Sequence, residues 1–221
     1  MNKRLNRKEL ETLWLHEEEI AHIRGWDFSH IWGKYEEERD LPWDYETMVR
    51  RYLGPDMRLL DIDTGGGEFL LSLGHPRKRL AATENYPPNV RLCREKLLPM
   101  GIDFREADGN GALPFDDQSF DMVINRHGNF NPGEIGRVLK PGGLLYAPTF
   151  VHGKGAGFRL RMRLLSLAGF RVYSPWTAGA FVDYISGCGF EVTKTELLGK
   201  SLAPLCYLEA KSTKNEGDRH G

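Results

Sequence analysis

The chain is poor in the features that would point away from an ordinary soluble enzyme. It has only three cysteines, Cys93, Cys188 and Cys206, far apart and without a CxxC pair. That spacing excludes a thiolate zinc site and a disulfide framework, and it fits a reducing compartment. There is almost no net charge: 30 Lys and Arg face 31 Asp and Glu, for a formal charge of −1. A globally basic nucleic-acid binder is therefore not expected. No apolar run reaches membrane-spanning length. The basic start, Met1 to Lys8, lacks the apolar core of a signal peptide, so a cytoplasmic protein is expected. Internal repeats and low-complexity tracts are also missing.

What is present is a composition 40% hydrophobic and 28% charged over 221 residues, enough for one domain with a substantial core. Three segments are expected: an N-terminal helical cap over 1–55, a main domain over 56–211 and a polar tail over 212–221. In the cap, Lys8 to Arg24 carries apolar residues at helical spacing. An aromatic segment (Trp26, Phe28, Trp32, Tyr35, Trp43) follows, and then a second helical pattern over Glu46 to Leu53 that Gly54-Pro55 ends.

From Arg58 onward strands and helices alternate. Strands are expected over Arg58 to Asp63, Arg79 to Glu84, Ile102 to Glu106, Ser119 to Asn125 and Leu144 to Phe150. Helices fall between them at Glu68 to Leu73, Pro88 to Met100 and Pro132 to Leu139, with a sharp turn at Lys140-Pro141-Gly142-Gly143. This order predicts a doubly wound, mostly parallel α/β sheet. Helices over Gly157 to Ala168 and Ala178 to Ser186 come next. Two strands, Gly189 to Lys194 and Leu202 to Ala210, have no long helix between them and so predict an antiparallel hairpin at the end of the sheet.

The segment Leu59-Leu60-Asp61-Ile62-Asp63-Thr64-Gly65-Gly66-Gly67-Glu68-Phe69-Leu70 runs from strand through a Gly turn into a helix. Such a turn presents free N–H groups at the positive end of a helix. The dinucleotide fingerprint GxGxxG fails, because Leu70 stands where its third glycine belongs. The acidic-x-Gly-x-Gly-x-Gly loop fits Asp61, Gly65 and Gly67 but has Asp63 in place of its first glycine. About 20 residues on, Ala81-Ala82-Thr83-Glu84 ends a strand in a carboxylate that can take both ribose hydroxyls.

Two further strings are specific. Leu113-Pro114-Phe115-Asp116-Asp117-Gln118-Ser119-Phe120-Asp121-Met122-Val123-Ile124 is followed by Arg137-Val138-Leu139-Lys140-Pro141-Gly142-Gly143. With the Gly turn and Glu84, they make the stretch from Leu59 to Phe150 resemble class I S-adenosylmethionine-dependent methyltransferases. Within that class it is similar to the methyltransferase type 11 group, which includes quinone-biosynthesis and related small-molecule enzymes. Trp176-Thr177 and Gly189-Phe190-Glu191-Val192 are similar to that family's last helix and hairpin. The first 55 residues are not covered.

The resemblance implies a Rossmann-like, seven-stranded sheet and S-adenosyl-L-methionine as cofactor, with S-adenosyl-L-homocysteine as product. It places the Gly65, Gly66 and Gly67 backbone against the methionine and ribose parts. Asp61 would organise the loop or reach the amino group through water. Glu84 would bind the ribose hydroxyls, Asn85 or Tyr86 would line the adenine, and Asp108 with Gly109 would face its amino group. Asn125, Arg126 and His127 would lie beside the methyl group and the acceptor. Asp63 either reaches the cationic part of the cofactor or hinders binding.

Methyl transfer is an in-line displacement, and positioning supplies much of its acceleration. A base is needed only if the nucleophile must lose a proton. His127 is then the first candidate and His152 the second; a packing or surface role for His127 is the competing reading. Trp26, Phe28 and Trp32 form a lid over cofactor and acceptor, or else an appended helical pair packed on the domain. The basic run Lys154, Arg159, Arg161, Arg163 and Arg171 reads as a solvated helix face or as a guide for an anionic acceptor. The acceptor is expected to be a small molecule, with no metal and no membrane span. RNA base methylation and a non-catalytic binding protein are the alternatives.

Overall fold

The computed structural model describes residues 6–20, 33, 44–126, 128–151, 163–164, 167, 176–198 and 204–214. The strands are β1 (Leu59–Ile62), β2 (Leu80–Glu84), β3 (Asp103–Glu106), β4 (Phe120–Asn125), β5 (Leu139–Tyr146), β6 (Thr149–Phe150), β7 (Phe190–Leu198) and β8 (Leu205–Ser212). The helices are α1 (Arg7–Ile20), α2 (Tyr45–Tyr52), α3 (Glu68–Ser72), α4 (Pro87–Lys96), α5 (Pro132–Val138) and α6 (Ala178–Gly187).

Short, mostly apolar strands such as Leu59–Ile62 and Leu80–Glu84 suit a sheet covered on both faces. Both strands are buried at every position. The sheet runs β3-β2-β1-β4-β5-β8, with β1 to β5 parallel and β8 antiparallel to β5, β6 and β7. Alternate side chains feed two apolar layers. Leu60, Ile62, Val123 and Leu145 pack with α5 and α6 residues such as Ile135 and Phe181. Leu59, Ala82, Ile124 and Tyr146 pack with Val49 of α2, Leu70 of α3 and Cys93 of α4. The second helix of the expected cap therefore shares a core with the main domain.

The Rossmann-like, mostly parallel sheet and its antiparallel C-terminal strand are as expected, with four local differences. The sheet has eight strands rather than seven, because Ala147-Pro148 breaks the strand expected over Leu144 to Phe150. Proline has no N–H to give to a ladder. Lys140 to Gly143 is not a free turn but part of β5. The register with β4 shifts between Phe120 and Met122, and Gly142 takes φ 69°. The helix expected over Pro88 to Met100 ends at Lys96 and gives way to a 3-10 turn, Leu98–Met100. The expected antiparallel hairpin ends the sheet, its strand β8 lying between β5 and β7. β8 runs to Ser212, one residue into the expected tail. The helix expected over Gly157 to Ala168 falls outside the described residues except at three positions.

Candidate active site

In an open parallel sheet, ligands bind where the strand order reverses, beyond the carboxyl ends of the strands. Here that point lies between β1 and β4, with β2 and β3 on one side and β5 on the other. Five loops leave from these ends, and they carry most of the residues singled out by sequence.

The β1 loop is tied to β2. Glu84 is buried, and its carboxylate accepts from four donors. Oε1 takes the Asn85 and Tyr86 backbone N–H groups, each at 2.9 Å. Oε2 takes Gly65 N at 2.8 Å and Asn89 Nδ2 at 3.3 Å. A carboxylate has about four lone-pair positions, so Glu84 is filled by the protein itself. Ribose hydroxyls at Oε2 must replace the Gly65 and Asn89 donors. Thr64 N adds a bond to Thr83 O at 3.0 Å, and Cys93 Sγ donates to Gly65 O at 3.0 Å.

Asp61 turns inward from β1 and accepts from Thr64 Oγ1 at 2.6 Å. Burial pushes its pKa up to about 7; the Thr64 bond and nearby Arg126 oppose the rise, and Glu84 adds to it. Asp63 follows the strand with φ 55°. It is also pushed up to about 7, first by burial and then by the charges of Glu84, Asp108 and Asp61. Among the described residues its buried Oδ1 has no hydrogen-bond partner, nor has Asn125 Nδ2 at the end of β4. Asn125 sits in register with Ile62. Asp108 caps its own turn by accepting from Asn110 N at 2.9 Å, and Gly109 O accepts from Asn131 N at 2.9 Å, which joins the β3 and β4 loops.

Two residues missed by the sequence reading, Tyr45 and Phe69, complete one wall together with the expected Arg126. Tyr45 opens α2 beside the β1 loop, its ring centroid 5.2 Å from that of Phe69. Arg126 lies over the Phe69 ring, its guanidinium carbon 4.9 Å from the centroid. The Tyr45 hydroxyl is held well above its ordinary pKa, mainly by burial and then by Asp61, with Arg126 opposing. A signal for Tyr45 was available: Asp44 accepts from Thr47 N as an N-cap, and Tyr45, Met48, Val49 and Tyr52 follow at helical spacing. Cys93 is pushed up to about 12, chiefly by burial, so it holds the loop as a thiol rather than reacting.

Asp61, Asp63, Gly65, Gly66, Gly67, Glu84, Asn85, Asp108, Gly109, Asn125 and Arg126 thus gather at the strand ends. His127, Trp26, Phe28, Trp32 and His152 lie outside the described residues. Among the described residues, no His, Cys, Asp and Glu group could hold a metal. None of their helices is long and apolar enough to cross a membrane.

The sheet order and its Gly-rich crevice are those of the Rossmann-like methyltransferase fold. Residues 60–147 match the model of a family described as a methyltransferase domain. A phthiotriol/phenolphthiotriol dimycocerosates methyltransferase of Mycobacterium leprae (strain TN) is 35% identical over 101 residues, covering 41% of this chain and 37% of that protein. The match thus spans little more than a third of that relative's length. Among solved structures, the [4+2]-cyclase SpnF superposes with a TM-score of 0.61 at 17% identity, covering 97% of this chain and 99% of SpnF. A SAM-dependent methyltransferase from Methanosarcina mazei gives 0.57 at 21% identity, covering 78% and 100%.

S-adenosyl-L-methionine is the cofactor that this family and fold imply, and the residues present suit it. It carries two cationic groups, and the crevice offers a buried carboxylate oxygen with no partner among several acidic side chains. At Gly66 a side chain would begin 2.7 Å from Leu92 Cδ2, so the loop can pack this closely on α4 only with glycine there.

Proposed function

We propose that this protein transfers the sulfonium methyl of S-adenosyl-L-methionine to a nucleophilic atom of a small-molecule acceptor. The observation that carries this reading is the convergence of Asp61, Asp63, Glu84 and Asp108 on one Gly-rich loop at the strand-order reversal. It lies within the very stretch that matches the methyltransferase family. When bound, S-adenosyl-L-methionine supplies an electrophilic methyl carbon whose C–S electron pair stays on sulfur.

The chain's own residues bind and orient. Glu84 holds Gly65, sets the loop against β2 and binds the ribose. Asp108 and Gly109 shape the adenine side, with Asn85 and Tyr86 beside them. Tyr45, Phe69 and Arg126 close the wall on the β1 side and keep water from it. His127, next to Arg126 in sequence, serves as base if the acceptor must lose a proton.

A relative's name specifies a phthiotriol, so hydroxyl-bearing acceptors are the first class to test. The formal charge of −1 favours a small molecule over RNA and accords with a cytoplasmic enzyme. The second reading is a protein that keeps the fold without methyl transfer. It is favoured by the whole-length likeness to a cyclase, which shows that the fold alone does not select methyl transfer.

Calorimetry with S-adenosyl-L-methionine, followed by assay of S-adenosyl-L-homocysteine release with a panel of hydroxyl, amine and thiol acceptors, tests this reading. Binding and acceptor-dependent release are expected. No binding at millimolar cofactor would sink the reading. Binding without release on any acceptor would favour the second.

A further inference from the structure

Asp63 is out of place on three counts. It occupies a left-handed backbone conformation (φ 55°). The neighbouring loop positions with positive φ, 65 and 67, are glycine. Asp tolerates this region better than most residues but still carries strain there. Its Oδ1 is buried with no partner. Its carboxylate also faces three like charges: Asp61 on its own strand, Glu84 at the end of β2 and Asp108 at the end of β3. Any one of these conditions is unfavourable in the free protein, and burying an uncompensated anion is the most severe.

The surroundings are nevertheless shaped to admit this side chain. Across the crevice, the loop after β4 presents Gly128. A Cβ there would stand 2.5 Å from Asp63 Cγ and closer still to Oδ2. The carboxylate therefore projects from the β1 loop across to the β4 loop, into space that exists because residue 128 has no side chain. It spans the point of strand-order reversal, where a ligand must enter. An obstruction left by chance would not come with a matching gap on the opposite loop.

We propose that Asp63 is the counter-ion of the cofactor's cationic methionine end, and that Gly128 provides the room for it. The inference rests on the methyltransferase reading above. In the free protein the Oδ1 charge is unmatched; an ammonium or sulfonium group supplies the missing partner and offsets the repulsion from Asp61, Glu84 and Asp108. Asp63 then selects ligands by charge, while the adenosine part is held elsewhere in the crevice.

Calorimetry at pH 8 on the wild type, Asp63→Asn and Asp63→Gly tests this. The ligands are S-adenosyl-L-methionine, S-adenosyl-L-homocysteine and 5′-methylthioadenosine, which is uncharged and lacks the amino-acid part. Asparagine keeps the size and the left-handed tolerance and removes the charge. For both variants S-adenosyl-L-methionine is expected to weaken by about tenfold or more, the range of a charge-assisted contact. Methylthioadenosine should stay within about twofold, since an uncharged ligand gives the carboxylate little to attract. If S-adenosyl-L-homocysteine weakens as well, the ammonium is the partner; if it does not, the sulfonium is. Either pattern supports the proposal. Equal change for all three ligands, or tighter S-adenosyl-L-methionine binding by either variant, overturns it and leaves the methyltransferase reading standing. If none of the three ligands binds the wild type, that reading falls and the proposal with it.

Discussion

Two carboxylates at the ends of adjacent strands live in opposite circumstances. At the end of β2, Glu84 has every acceptor position filled by the protein, three of the donors being backbone N–H groups. Across the loop, Asp63 has a buried oxygen with no partner, and Asn125 at the end of β4 has a buried amide nitrogen in the same state. The β2 side is a finished scaffold that would hold its shape without ligand. The β1–β4 mouth is polar, strained and incomplete. Stability and binding are thus divided between neighbours, and substitutions in the two regions should behave differently.

The largest effect is expected from Glu84→Ala. It strands four donors, each bonded to a charged group, and such bonds contribute about 1.5–3 kcal/mol apiece before relaxation. A loss of at least about 3 kcal/mol of stability and of detectable cofactor binding is expected, read by denaturant unfolding and calorimetry. A loss below about 0.5 kcal/mol, the range of an ordinary surface substitution, would break the comparison at its stronger end.

Next comes the contact between the two loops. Gly128→Ala in the wild type forces a methyl group onto the Asp63 carboxylate and should destabilise by about 1–3 kcal/mol, the usual penalty of overpacking. In the Asp63→Gly background the same change should be within about 0.5 kcal/mol of neutral. Additive effects in this double-mutant cycle would mean that the two residues do not share the space.

The charge of the mouth gives a pH dependence. Asp61 and Asp63 are both raised from 3.8 to about 7 in the folded chain. A raised carboxyl stabilises fully below its unfolded pKa, and that stability is lost as pH rises through the folded value. The cofactor-free protein should therefore lose stability between about pH 4 and 7 through these two groups, with Glu84 and Asp108 reinforcing Asp63 and Arg126 moderating Asp61. Melting temperatures across this range should fall less steeply in Asp63→Asn. An equal slope in that variant would remove Asp63 from the account.

The smallest effect is expected from Asp63→Gly in the absence of cofactor. Relief of left-handed strain and like-charge repulsion should raise stability by about 1 kcal/mol, visible as a small upward shift in melting temperature. A fall would mean that the Asp63 side chain supports the free fold. The contrast with Glu84→Ala is one of sign as well as size.

The strand ends were legible because apolar runs and turn residues are local signals. Leu59–Ile62, Leu80–Glu84 and Phe120–Asn125 were each placed within one residue at their ends, and Glu84 and Asp61 were marked by their position after such runs. Tyr45 was not assigned to the site, because its neighbours Phe69 and Arg126 are distant in sequence and meet it only when α2 packs on the sheet. The break at Ala147-Pro148 carried a signal, the proline, that the apolar run around it outweighed. The place of β8 inside the sheet had no local signal at all, since either edge of a hairpin satisfies the same alternation.

By itself, then, the chain's sequence determined which segments are apolar on both faces, where they must turn, and that acidic residues follow β1, β2 and β3. Those are properties of neighbouring residues and need no packing partner. Only the tertiary structure decided how the carboxylates differ. Glu84 is saturated because the β1 loop folds back onto it. Among the described residues, Asp63 is left unmatched because the β4 loop brings a glycine, and no donor to its Oδ1, to the opposite side. Partnership across loops depends on three-dimensional register, which no spacing along the chain encodes.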